Sequence, residues 1–158
     1  MQKMLAWLSL SSAIVLSPAW AGKLSQTPKF LQSGVVKYSK KIPQCASVKS
    51  TVVQGVWQRL DYGVGKIEVN YKVTEAGLES VTLNAPNSPK DSGQLQAMMC
   101  ATAALMQSMQ PDYESQESAL SNAAHLWKSS AKAPFTMAFY FDQMTAQHVP
   151  FQLKAWNK

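Results

Sequence analysis

The feature that most constrains this chain is strict alternation of apolar and polar side chains in two separate places. Ile67, Val69, Tyr71 and Val73 alternate with Lys66, Glu68, Asn70 and Lys72. Period two with one wet face is the signature of a half-buried strand. Thr74, Glu75, Ala76 and Gly77 supply a short turn with a glycine for a positive φ. Residues 78–83 return as the second strand, with Val81 and Leu83 inward. The second place is near the C-terminus. Phe135, Met137, Phe139 and Phe141 alternate with Thr136, Ala138 and Tyr140. Residues 142–148 read as the turn, and Val149, Phe151, Leu153 and Ala155 as the returning strand, with Gln152 and Lys154 on its other face.

The stretches between these hairpins carry helical spacing. Val48, Val52, Val53, Val56, Trp57 and Leu60 form one apolar stripe and predict a helix over 47–60. A second helix is expected over 91–109. Asp91 and Gln94 are spaced like a capping box, and Leu95, Met98, Met99, Thr102, Leu105, Met106 and Met109 form its stripe. Pro111 closes it. Ser115 opens a third helix, with Glu117 in its first turn, Leu120, Ala123, Ala124 and Trp127 inward, and Lys128 and Lys132 at the end. Ahead of these, 22–33 is polar and aperiodic and reads as a flexible arm, and 35–42 as a short strand. The fold class is therefore α+β: an antiparallel sheet of two hairpins, four or five strands in all, with about three helices packed on one face.

Residues 1–21 have the three zones of a cleavable signal peptide. Lys3 supplies the positive start, 4–16 the uncharged apolar run, and Pro18 followed by Ala19, Trp20 and Ala21 the cleavage pattern. The run is short for a membrane span and is interrupted by Ser9, Ser11 and Ser12. The expected organisation is a signal peptide at 1–21, an arm at 22–33 and a single domain at 34–158. The expected destination is the periplasm, with the cell exterior as the alternative, and no stable membrane insertion after cleavage.

Export bears on the two cysteines, Cys45 and Cys100. In an oxidising compartment one even pair reads most simply as a disulfide. The entropic model assigns such a long loop about 4 kcal/mol. It would staple the start of the helix at 47–60 onto the helix at 91–109. A redox or metal pair is the competing reading, without a C-x-x-C to support it.

The formal net charge is +6, or about +5 without Lys3. Arg59 is the sole arginine and the lysines read as scattered. Readers of nucleic acid favour the planar guanidinium fork, so nucleic acid is not an expected partner. The charge fits a solvated surface or weak attraction to anionic envelope components or an acidic partner. His125 and His148 read as structural, and the helical spacing of Met98, Met99, Met106 and Met109 reads as core rather than a copper site. No G-x-S-x-G, H-E-x-x-H or phosphate-cradling motif occurs, so no catalytic residue, metal or cofactor is expected.

The parity of the last hairpin singles out one surface. Tyr140 and Trp156 fall opposite to the inward phenylalanines and share a face with Gln152 and Lys154. Aromatic side chains among polar neighbours suit a protein or glycan contact.

Residues 103–127 read AALMQSMQPDYESQESALSNAAHLW. Their M-x-P-x-x-x-S-x-x-S-A-L pattern, followed by a strand hairpin, resembles part of a group of small uncharacterised Gram-negative periplasmic proteins. The resemblance implies a periplasmic α+β protein and carries over no active site. The functional expectation is a non-enzymatic protein-binding module, inhibitor- or immunity-type, whose partner is another envelope or secreted protein. The alternative is a small envelope hydrolase acting on glycan or peptide.

Overall fold

The structure is a computed structural model and describes residues 26–86, 91–110, 115–139 and 142–157. The leader at 1–21 and Tyr140 lie outside the described residues.

The chain opens with helix α1, Pro28–Lys41. The Thr27 hydroxyl accepts from the Phe30 backbone N–H at 3.2 Å, and Pro28 occupies the first helical position, where its missing N–H costs nothing. This helix stands in place of the strand expected at 35–42 and of the 28–33 part of the arm, whose residues 22–25 lie outside the described residues. Leu31, Val35 and Ser39 recur every fourth residue and are buried. A single 3-10 turn, Pro43–Cys45, follows.

The helix expected at 47–60 is instead a hairpin of β1, Lys49–Val53, and β2, Trp57–Asp61. Gln54 at φ 53° and Gly55 at φ 73° turn the chain between them. Valine is stiff at χ1 and suits a pleated strand, which favours this outcome over a helical stripe. The next hairpin is the expected one, β3 at Lys66–Thr74 and β4 at Gly77–Asn84. Gly77 takes φ 114° at its turn, and a bulge lies between Lys72 and Val73.

Helices α2, Ser92–Met109, and α3, Gln116–Ser129, stand where their spacing placed them. Asp91 caps α2 by accepting from the Gly93 N–H at 2.9 Å. The capping box is not completed. The Gln94 amide turns to the Lys66 backbone, donating to its oxygen at 2.7 Å and accepting from its nitrogen at 3.3 Å. Ser115 caps α3, with Glu117 in the first turn and Lys128 in the last. The C-terminal part forms β5, Phe135–Phe139, β6, Asp142–His148, and β7, Phe151–Asn157. Residues 142–148 are thus a strand rather than a turn.

Among the described residues the strands form one antiparallel sheet in the order β1-β2-β3-β4-β7-β6-β5. It has seven strands, not four or five. β4 pairs with β7, Val81 opposite Ala155, and this pairing joins the early strands to the late ones. The three helices pack on one face. Gln58 of β2 donates to the Gln32 backbone of α1, α2 is tied to β3 through Gln94, and Trp127 of α3 stacks edge-on to Phe151 of β7 at 4.8 Å between centroids.

α2 lies centrally and is buried nearly all round, as a helix between two others and a sheet must be. Ala101, Ala103 and Ala104 are fully buried along it. Gly34 of α1 sits so close to Ser108 that a Cβ there would meet the hydroxyl at 2.7 Å. Trp127 donates its indole N–H to the Thr102 hydroxyl at 3.0 Å, so the largest buried side chain keeps its polar atom satisfied. Met98, Met106 and Met109 are core residues.

Cys45 and Cys100 form a disulfide with Cα atoms 5.7 Å apart. It ties the turn after α1, rather than the start of a helix at 47–60, to the middle of α2.

Candidate functional site

Partners across an antiparallel ladder share a face, so register maps the side of the sheet on which no helix of the described residues packs. One row runs Trp57, Asn70, Thr82, Lys154, Thr145 and Thr136. A second runs Arg59, Glu68, Asn84, Gln152 and Gln147. A third runs Lys72, Ser80, Trp156 and Gln143. Gln152, Lys154 and Trp156 are therefore brought together on this open face. Lys154 is exposed, and Gln152 and Trp156 are half-buried.

Polar groups of the open face bond one another across its strands. Gln152 donates to the Asn84 side chain at 2.7 Å, and the hydroxyls of Thr136 and Thr145 meet at 2.6 Å. Arg59 pairs with Glu68 at 3.5 Å and Lys72 with Glu79 at 2.9 Å. These pairs are well exposed, and such pairs add little stability. They do occupy the carboxylates of this face. What remains presented among the described residues is amides, hydroxyls, the ammoniums of Lys49 and Lys154 and two indoles.

The histidines stand apart from this face. His148 Nε2 is 3.0 Å from the Trp127 backbone oxygen, beside the Trp127 and Phe151 rings. His125 is exposed on α3 and meets Phe135 edge-on at 6.0 Å. Among the described residues no three His, Cys, Asp or Glu side chains cluster as a metal site would. Burial pushes the Tyr62 hydroxyl far above its ordinary range, against a smaller opposing effect of its hydrogen bond to Ser39. Burial raises Tyr71 likewise, with Tyr62 adding to it. Both phenols are held neutral and structural.

A second surface escaped the sequence reading. Lys29, Lys37 and Lys40 fall on one side of α1 with Ser33 and Val36. Across from them stand Ser50 and Val52 of β1, Gly55 of the turn, and Gln58 at the floor. Together they line a shallow, open groove of about 750 Å³. The lysines read as scattered along the sequence and gather on one side only once Pro28–Lys41 is a helix. The signal that would have found them was Thr27 followed by Pro28, a cap before a first-turn proline.

Compared with protein-family models, curated proteins and solved structures, the chain matches none. The likeness of residues 103–127 to small periplasmic proteins thus rests on its motif alone. No helix among the described residues is long and apolar enough to cross a membrane.

Proposed function

We propose that this is an exported, non-enzymatic protein-binding module of the periplasm, with an inhibitor or immunity partner of an envelope-acting toxin as one concrete form. The observation that supports this reading most is the open sheet face, where Gln152, Lys154 and Trp156 stand across from the helical layer. Trp156, half-buried between Ser80 and Gln143, suits a protein contact, since tryptophan anchors and a polar surround are what such interfaces use. The engagement of Glu68 and Glu79 by Arg59 and Lys72 favours binding over acid–base hydrolysis. The Cys45–Cys100 disulfide agrees with an oxidising compartment.

A photo-crosslinking residue at position 154 tests the surface in living cells. One discrete protein adduct from position 154, and none from position 64 on the exposed loop before β3, is the expected result. Equal adducts from both positions, or none from 154, would count against the open face as the binding surface.

A further inference from the structure

We propose that the groove between α1 and β1 receives an acidic, extended segment of a partner protein, laid as an added strand along β1. This stands apart from the open-face reading, because it uses the opposite side and one edge of the sheet.

The charge carries the argument first. All nine acidic residues of the chain lie at or beyond Asp61, whereas Lys29, Lys37, Lys40, Lys41 and Lys49 precede it. The ion pairs among the described residues, Arg59–Glu68, Lys66–Asp61 and Lys72–Glu79, leave the α1 lysines out. The groove wall therefore holds Lys29, Lys37 and Lys40 with no compensating carboxylate on α1 or β1. A segment bearing carboxylates supplies what this wall lacks, and charge of this kind sets specificity and encounter rate.

The edge specifies the conformation of the segment. β1 is a terminal strand of the sheet, paired on one side with β2. An edge strand presents backbone donors and acceptors that an extended peptide satisfies by strand addition. Ser50 and Val52 alternate along the groove, and Val52 is 49% exposed, so the segment meets a small polar and then an apolar position. A second copy of β1 would bring the same lysines against this wall, so like-charge repulsion disfavours self-pairing.

The groove is also built beforehand. Gln32 donates to the Gly55 oxygen at 2.7 Å, and Gln58 donates to the Gln32 oxygen at 3.0 Å and the Ser50 hydroxyl at 2.9 Å. These bonds fix α1 against the β1–β2 hairpin, and a preformed groove spares the ordering cost of binding.

The probe is a capped peptide of about ten residues alternating glutamate with valine or threonine, titrated into the purified protein by calorimetry. Saturable binding is expected. The exposed changes Lys29→Gln, Lys37→Gln and Lys40→Gln together should weaken it by about tenfold or more at low salt, with thermal unfolding unchanged. Methylating the peptide nitrogens on one edge should abolish binding, and methylating the other edge should not. Lys154→Glu should leave it untouched, which separates this proposal from the open-face reading. No binding, equal binding by the triple variant, or indifference to methylation on both edges would overturn the proposal. So would binding to anionic phospholipid vesicles with none to the peptide.

Discussion

Tyr71 donates its hydroxyl to Oε1 of Gln58 at 2.7 Å, and the nitrogen of that same amide reaches both the Gln32 backbone and Ser50. One buried glutamine thus holds β3, β2, β1 and α1 together at the floor of the groove. Tyr71→Phe leaves Oε1 buried without a partner, at a cost of about 1–3 kcal/mol. Urea unfolding should show the loss. Tyr71→Phe combined with Gln58→Leu should cost less than the sum of the single changes, because the orphaned partner goes with it. Simple additivity would contradict this network.

The contact of Gly34 with Ser108 makes a second prediction. A Cβ at position 34 would lie 2.9 Å from the Ser108 Cβ, so α1 and α2 must part. Gly34→Ala should destabilise by about 1–3 kcal/mol. Ser108→Gly in the same chain should restore part of that loss. A neutral or stabilising Gly34→Ala would show that the two helices are not in close register.

The disulfide encloses a separation of 55 residues, for which loop-closure entropy assigns about 4 kcal/mol. That is a large share of the stability of an ordinary domain. Urea midpoints with and without reductant should differ accordingly. Cys45→Ala with Cys100→Ala should match the reduced protein. Equal midpoints would remove the cross-link from the account.

Alkaline pH should unfold the protein through Tyr62 and Tyr71. Both phenols are held neutral by burial, with their folded pKa values raised. In the unfolded chain they release protons near pH 10, while the folded chain keeps them. The unfolded state then binds fewer protons, so stability is full below about pH 10 and falls above it, by up to about 1.4 kcal/mol per pH unit for each phenol. Tyr62→Phe should make the decline shallower. Stability that is flat above pH 10 would contradict the burial of these rings.

Much of this fold was legible in the sequence, for identifiable reasons. The β3–β4 hairpin announced itself because one face is dry and the other wet, so every second residue reports its side. α2 and α3 were marked by caps at Asp91 and Ser115. Residues 47–60 misled because Val52 and Val53, which pair with Gln58 and Trp57 across a turn at Gln54 and Gly55, also happen to fit helical spacing. The β-branched run and the mid-stretch glycine were the better evidence. The open face followed from strand parity at Gln152, Lys154 and Trp156. The lysine groove did not, since it exists only once α1 wraps distant residues onto one side.

The claim that matters most is that the open face of the sheet binds a protein. The most direct measurement is co-purification from the periplasm of the native cell, comparing the unaltered chain with a Lys154→Glu, Trp156→Ser double variant of equal stability. The account predicts one partner in stoichiometric amount with the unaltered chain and its loss from the variant. A partner retained in full by the variant, or none recovered with the unaltered chain in repeated preparations, would contradict it.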